Sequence, residues 1–219
     1  MKFHKYHALG NDYLVFDSKN FEEIPSCEAI RRICHRNLGI GSDGILWGPF
    51  NQEERKENFN LRIFNPDGSE AEKSGNGLRI FCRYLWDQHL VASNASFRVN
   101  TKGGVVEATV HHDGQEVTVS MGKVSFNSDL IPVKGESREV LQEKLQIEDQ
   151  VFEFCAATIG NPHCVIRTEQ TSPELAKKFG PMIENNRIFP NRTNVQFLEI
   201  LDRKNLKMEM TQINFNIKE

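Results

Sequence analysis

The residues most suited to chemistry stand at the start of one helical run. The tetrapeptide 74–77, Ser-Gly-Asn-Gly, precedes a stretch with apolar side chains on nearly every side. A helix of that kind is enclosed by other structure. Its first turn presents free N–H groups and the positive end of the helix dipole, and glycines let a ligand approach closely. The pattern predicts a buried helix over 75–87 whose start faces an anionic group such as a carboxylate.

Several of the polar residues also have explanations that need no ligand. Ser74 suits a helix N-cap, a role that is compatible with chemistry. Asn11 and Asn161 follow glycines and suit left-handed turns. Asn65 and Asn194 suit turns or strand ends, where their side chains stabilise the backbone. The residues alone leave these alternatives open.

Two neighbouring Cys–His pairs, Cys34-His35 and His163-Cys164, raise the question of a metal site. Adjacent residues on a strand point to opposite faces, and the sequence has no CxxC or HExxH spacing, which argues against metal. The start of the 75–87 helix has neither the lysine of a phosphate loop nor a GxGxxG after a strand. These patterns argue against a nucleotide site as well.

Composition narrows the class of protein. The chain has 219 residues, 38% of them hydrophobic and 26% charged, which is ordinary for one large or two small globular domains. A net charge of −3 gives no reason to expect nucleic acid or an acidic membrane as partner. No leader and no membrane-length apolar window is visible. The five cysteines lack a close-spaced framework, so we expect a cytoplasmic protein with reduced thiols.

Around the central helix, periodicity and capping residues predict further elements. Ser26 caps a helix over 27–36, a short amphipathic helix covers 137–145, and Ser172 caps a helix that ends near Phe179 at Gly180-Pro181. Apolar alternation predicts strands, at 2–8, 13–17, 45–47, 61–64, 96–100, 105–111, 116–121, 151–158, 164–167, 193–198 and 206–210.

The two halves share an order of elements: a strand, Gly-Asn, a strand, a helix and a strand with an asparagine. The order spans Gly10-Asn11 to Asn65, and again Gly160-Asn161 to Asn194. In the first half it continues into the central helix. The equivalent point of the second half lies beyond Glu219, so we expect this half to stop short of its own central helix.

Five segments resemble, in order, those of the diaminopimelate epimerase family. They are KYHALGNDYLVFD (5–17), GIGSDG (39–44), RIFNPDGSEAEKSGNGLRIFCRYL (62–85), IGNPHCVI (159–166) and RTNVQF (192–197). The resemblance implies an α/β (α+β) fold of two pseudosymmetric β-roll domains, each around a central helix, with substrate between them. The expected domains are 1–118, with the buried helix 75–87, and 119–219, incomplete because it lacks its helix.

The resemblance also implies an activity. Family members convert LL- to meso-diaminopimelate, for lysine and peptidoglycan precursors, by Cα proton transfer between two cysteines without pyridoxal phosphate or metal. Here Ser74 stands at the first cysteine's position, which makes it the candidate catalytic residue by resemblance, and the segment of the second cysteine is absent from the sequence. Cys82 lies about two helical turns further along and is no substitute. The alternative is therefore an inactive or altered homologue that at most binds an amino acid.

Unlike the two cysteine positions, the positions that match the family's substrate-binding residues carry residues of the matching type. By resemblance, four asparagine amides hold the substrate, two backbone N–H groups bind a carboxylate, and a histidine lies near the site. These residues are Asn11, Asn65, Asn161 and Asn194, then Gly75 and Asn76, and His163. The expected partner is a small amino acid. Because the second half would expose apolar surface, a homodimer is a further expectation.

Overall fold

The computed structural model describes residues 2–21, 23–50 and 58–211. The chain divides into two compact units, Met1–Gly122 and Lys123–Glu219. Strands of the described residues form two sheets, one in each unit, and α-helices pack on them. This is a mixed α+β architecture, so the predicted fold class is confirmed.

The described part of the first unit is a sheet of eight strands with two α-helices. Helix α1 (Cys27–Cys34) follows the second strand, and α2 (Gly75–Asp87) follows the fifth. The sheet order is β1-β2-β3-β4-β6-β7-β8, and β5 pairs with β4. The strands are β1 (His4–Ala8), β2 (Asn11–Phe16), β3 (Ile45–Phe50), β4 (Asn58–Phe64), β5 (Glu70–Ala71), β6 (Ser96–Thr101), β7 (Gly104–His111) and β8 (Glu116–Val119).

Helix α2 supplies the centre of the first unit's core. Seven of its residues are buried, namely Gly77, Leu78, Ile80, Phe81, Cys82, Tyr84 and Leu85. The Tyr84 hydroxyl donates to Asp17 Oδ2 at 2.7 Å, so this buried polar group is satisfied. Helix α1 packs with a separate cluster that includes Leu14 and Trp47. The buried helix predicted over 75–87 is confirmed.

Residues 123–211 of the second unit form a sheet of five strands, in the order β13-β12-β11-β10-β9. Helix α3 (Pro173–Glu184) connects β11 and β12, which run parallel. The strands are β9 (Glu143–Ile147), β10 (Gln150–Thr158), β11 (Pro162–Thr168), β12 (Asn194–Ile200) and β13 (Leu206–Thr211). Phe179 and Ile183 of α3 pack with buried residues of these strands.

The opposite side of this second sheet carries exposed apolar side chains. We call it the open face, and its most exposed members are Val151, Ile200, Leu206, Met208 and Met210. Among residues 123–211, α3 is the only α-helix. Exposed apolar surface in the second half was predicted and is confirmed. The expected lack of a central helix stays a prediction, since residues 212–219 lie outside the described residues.

The short helix predicted over 137–145 is wrong. Residues Glu143–Ile147 form strand β9, whose Gln146 lies opposite Val151 of β10. Leu145 and Ile147 are buried while their neighbours are not, which is the two-residue period of a strand. Pairing with β10 therefore outweighs the helical periodicity of this segment.

Helix α3 is longer than the sequence predicts. The Gly180-Pro181 pair was expected to end it, yet the helix continues to Glu184. A proline inside a helix removes one backbone donor and costs free energy. Burial of Ile183 and Phe179, at 0% and 3% exposure, offsets that cost because both side chains belong to the core.

The internal repeat is present in the sheet registers. Leu14 pairs with Ile45 in the first sheet, and Cys164 with Val195, each 150 residues later, in the second. Both parallel pairs are joined by a helix and followed by an antiparallel strand. The two units therefore share one local topology.

The registers nevertheless correct one equivalence drawn from sequence. Asn194 is the first residue of β12, and its counterpart 150 residues earlier is Gly44, just before β3. Asn65 follows β4, a different strand. The equivalence of Asn65 with Asn194 is therefore wrong, because strand order rather than residue type defines the repeat.

Candidate functional site

The start of α2 forms a group of hydrogen-bond donors. Ser74 Oγ accepts from the Gly77 N–H at 3.0 Å, so the predicted N-cap is confirmed. Helix geometry leaves the N–H groups of Gly75 and Asn76 without an intrahelical acceptor. A Cβ on Gly75 would meet nothing within 4 Å, whereas one on Gly77 would lie 3.1 Å from the Ser74 side chain. The open space at Gly75 is suited to an anion.

Tyr13 is a member of this group that the sequence did not reveal. Its hydroxyl lies 3.2 Å from Ser74 Oγ, and its side chain is 6% exposed. Burial raises the pKa of Tyr13, so the phenol stays protonated at neutral pH. A serine oxygen has two lone pairs. When Gly77 N–H and Tyr13 O–H donate to them, the Ser74 proton is left to donate elsewhere.

Asn11 and Asn76 meet next to this helix start. The Asn76 side-chain amide donates to Asn11 Oδ1 at 3.4 Å, and Arg79 donates to Asn76 Oδ1 at 3.0 Å. Asn11 Nδ2 in turn donates to Asp43 Oδ2 at 3.0 Å. The structure therefore brings together Asn11, Ser74 and Asn76 from segments far apart in the chain.

A network of ion pairs fixes the position of Asp43, the residue that accepts a hydrogen bond from Asn11. Arg36 Nη2 lies 2.7 Å from a carboxylate oxygen of both Asp12 and Asp43, and Lys5 Nζ lies 3.0 Å from Asp12. Burial raises the pKa of Asp12, but hydrogen bonds from Arg36 and Lys5 outweigh burial and lower it to about 2. The carboxylate is thus ionised at neutral pH. Asp43 belongs to the GIGSDG motif, whose spacing alone did not indicate this contact.

Asn65 has a different environment. Its N–H donates to Ser69 O at 2.8 Å, and its side-chain amide donates to Ser69 Oγ at 3.0 Å. These bonds close the turn between β4 and β5, which agrees with the turn interpretation of this residue. Its part in substrate binding stays a prediction.

The remaining predicted residues lie at one end of the second sheet. Asn161 is in the turn between β10 and β11, where Thr158 pairs with Pro162. His163 lies beside Asn194 in the parallel register of β11 and β12. Asn194 Nδ2 donates to the Pro162 carbonyl at 2.9 Å. The structure places these three residues at one end of the sheet, and their part in substrate binding stays a prediction.

None of the buried thiols of the first unit is suited to proton transfer at the start of α2. Cys82 is 0% exposed, and burial raises its pKa to about 12. Burial also raises the pKa of Cys34. Within the described residues, no three His, Cys, Asp or Glu side chains are grouped as metal ligands. No helix of the described chain is long and apolar enough to span a membrane.

Solved structures show that the fold has relatives among amino-acid racemases. A hydroxyproline epimerase from Agrobacterium vitis matches with a TM-score of 0.69 and 14% identity, covering 97% of this chain and 70% of that one. A probable proline racemase from Agrobacterium radiobacter matches with a TM-score of 0.68 and 15% identity, with the same coverage. The chain therefore has the two-domain β-roll fold.

Sequence comparison is more specific than the structural comparison, because it identifies the family. The family profile described as diaminopimelate epimerase matches residues 3–127. Diaminopimelate epimerase 2 of Nostoc sp. is 57% identical over 210 residues, covering 96% of this chain and 73% of the relative. The diaminopimelate epimerase of Moorella thermoacetica is 35% identical over 215 residues, covering 96% of this chain and 75% of the relative. This chain belongs to the diaminopimelate epimerase family.

Proposed function

We propose that this chain is an isomerase that epimerises diaminopimelate from the LL to the meso form. The observation that carries the proposal is the donor group at the start of α2, where Ser74 caps the helix and Asn76 donates to Asn11. Its support is twofold, because the relatives carry the name of this activity and the donor group fits an amino-acid carboxylate.

Proton transfer at Cα needs stabilisation of negative charge. A base accepts the Cα proton, the electron pair of the broken C–H bond is shared between Cα and the adjacent carboxylate, and a proton delivered to the opposite face completes the inversion. Backbone N–H groups of Gly75 and Asn76, at the positive end of α2, favour that charge in the transition state. This stabilisation requires neither pyridoxal phosphate nor metal.

Ser74 is assigned the role of a donor. A hydroxyl has a far higher pKa than a thiol, and a helix start does not bring it into a useful range. We propose that Tyr13, which stays protonated, donates to Ser74 Oγ 3.2 Å away, which leaves the Ser74 proton free to donate to the substrate. We therefore propose that Ser74 binds the substrate carboxylate and is not the base that removes the Cα proton.

The amides complete the proposed binding set. A neutral amide both donates and accepts, so it suits a substrate that carries ammonium and carboxylate groups. Asn11, Asn65, Asn161 and Asn194 are proposed as these amides, with His163 as a neighbouring acceptor. Their residue type and the motifs in which they stand support this assignment.

Solvent exchange at Cα tests the proposal. Diaminopimelate incubated with the purified chain in D2O should gain one deuterium at Cα, measured by mass spectrometry. Lysine has no second amino-acid end, so it should exchange far more slowly. No exchange above buffer contradicts the proposed activity. Saturable binding of diaminopimelate without exchange, measured by calorimetry, supports the altered homologue instead.

Location and assembly are also proposed. An enzyme of lysine and peptidoglycan precursor synthesis works in the cytoplasm, and we propose that location.

We also propose a homodimer in which the open faces of two copies meet, since contiguous exposed apolar side chains favour association. Sedimentation should show a dimer that Met208→Lys dissociates. A wild-type monomer at every concentration contradicts it.

A further inference from the structure

One side chain on the second sheet is polar where its counterpart on the first sheet is apolar. Gln196 is 4% exposed, and Leu46, its equivalent 150 residues earlier, is 0% exposed and part of the core. A buried amide costs free energy unless its atoms are bonded. Glutamine at this position therefore needs a structural reason.

The reason is the neighbouring His163. The Gln196 side chain lies 2.9 Å from His163 Nδ1. In the orientation that satisfies both of its ends, Gln196 Nε2 donates to the carbonyls of Asn194 (3.2 Å) and Cys164 (3.3 Å), and Oε1 accepts from His163 Nδ1. The reverse orientation would place Oε1 against two carbonyl oxygens, neither of which can donate.

This bond fixes the position of the imidazole proton. A neutral imidazole has one N–H, so a proton on Nδ1 leaves Nε2 with a free lone pair. The residues opposite His163 on the flanking strands are Ala157 and Asn194, and neither titrates. Burial lowers the pKa of His163, against the opposing effect of the Gln196 bond. The ring is therefore neutral at pH 7.

We propose that Gln196 is a positioning residue that holds His163 in its Nδ1–H tautomer and presents Nε2 as a hydrogen-bond acceptor. The counterpart of His163 in the first unit is Tyr13, which presents a hydroxyl to Ser74. The two units thus place a donor and an acceptor at equivalent positions. The acceptor's use, for an ammonium or Cα proton of an amino acid, rests on the proposed function.

Nitrogen NMR reads the tautomer directly. Long-range ¹H–¹⁵N correlations of the ring distinguish a protonated Nδ1 from a protonated Nε2. In the wild-type chain at pH 7, His163 should show the Nδ1–H pattern. Gln196→Met keeps the side-chain length and removes the amide, so His163 should shift toward the Nε2–H form. Gln146→Met, at an exposed position of the edge strand β9, is the matched control and should leave His163 unchanged.

Two results would overturn the proposal. One is a wild-type His163 in the Nε2–H form, and the other is an unchanged tautomer in a folded Gln196→Met variant. If that variant fails to fold, the wild-type spectrum alone still decides.

The rate of Cα exchange tests the proposal independently of the His163 tautomer. Gln196→Met should slow Cα exchange about 2- to 10-fold, the effect of one hydrogen bond, with a smaller change in KM. Full activity in this variant would remove the catalytic part of the proposal. A wild-type chain without exchange contradicts the proposed function and leaves the tautomer result in place.

Discussion

The two sheets of this chain share a topology but differ in what covers them. In the first unit, α1 packs on one face and α2 on the other, so both faces belong to hydrophobic clusters. In the second, α3 covers one face, and the open face exposes Met208 at 52% and Leu206 at 60%. An apolar strand pattern thus makes a core only where a second element covers it.

The difference extends to the candidate site. The first unit forms its donor group at the end of a buried helix, which supplies N–H groups and a dipole. Within the described residues, the second unit positions Asn161, His163 and Asn194 by strand register, with side-chain hydrogen bonds at His163 and Asn194. A helix start can favour an anion without any charged side chain, whereas a sheet end depends on its side chains. The two units therefore position their candidate site residues in different ways on similar frameworks.

The largest expected effect compares the stability contribution of a core side chain around α2 with that of a side chain on the open face of the second sheet. Leu85→Ala should lower the free energy of unfolding by about 2–5 kcal/mol, because it leaves a cavity in the core around α2. Met208→Ala, on the open face, should change it by less than about 0.5 kcal/mol in protein dilute enough to dissociate the proposed dimer. Urea unfolding of both variants measures the contrast. Similar losses at that dilution would contradict the exposure of the open face within one copy.

The second-largest expected effect distinguishes the helix-capping role of Ser74 from its proposed role in substrate binding. Ser74→Ala should cost about 0.5–2 kcal/mol of stability, and so should Ser172→Ala, since both serines cap helices. Calorimetry with diaminopimelate should show weaker binding only for Ser74→Ala. Equal affinities in the two variants would limit Ser74 to a capping role.

Tyr13→Phe tests the hydroxyl pair of the first unit. Loss of this hydrogen bond should weaken diaminopimelate binding by about 0.5–1.5 kcal/mol, because Ser74 is no longer held as a donor. Tyr6→Phe removes a comparable bond to Asp87, at 2.8 Å, and should leave binding unchanged. An unaffected affinity in Tyr13→Phe would place the proton of Ser74 outside the binding site.

The smallest effect concerns pH. The pKa of Asp12 is lowered in the folded state, so its ionised form stabilises the fold above the unfolded value of about 3.9. This contribution is lost as the pH falls through about 2. Arg36→Met should cost about 0.2–1 kcal/mol at pH 7, because Arg36 is largely exposed and its ion pairs are screened. The cost should shrink toward pH 2.

A second-unit variant and salt provide the controls for that measurement. Arg138→Met removes an ion pair with Glu143 at 2.6 Å. It should lower stability similarly without weakening diaminopimelate binding, whereas Arg36→Met should weaken binding through Asn11. A cost of Arg36→Met that is insensitive to both pH and salt would contradict the ionic account.

Local pattern alone was enough to predict the helices with the clearest signals. Residues 75–87 combine a serine cap with apolar side chains all round, and Ser26 and Ser172 mark two other helix starts. Such signals lie within a few residues, where backbone geometry and capping decide the conformation. The segment 143–147 failed because its partner strand, rather than its own periodicity, determined its state.

Tertiary structure decided which side chains meet. Tyr13 and Ser74 are 61 residues apart, Asn11 and Asn76 are 65 apart, and His163 and Gln196 are 33 apart. The sequence indicated most of these residues as types, but their partners depend on strand register and on the packing of α2. By itself the sequence determined the buried helix, its cap and the family's motifs. Only the folded sheets, which align distant segments, determined the hydrogen bonds that orient Ser74, Asn11 and His163.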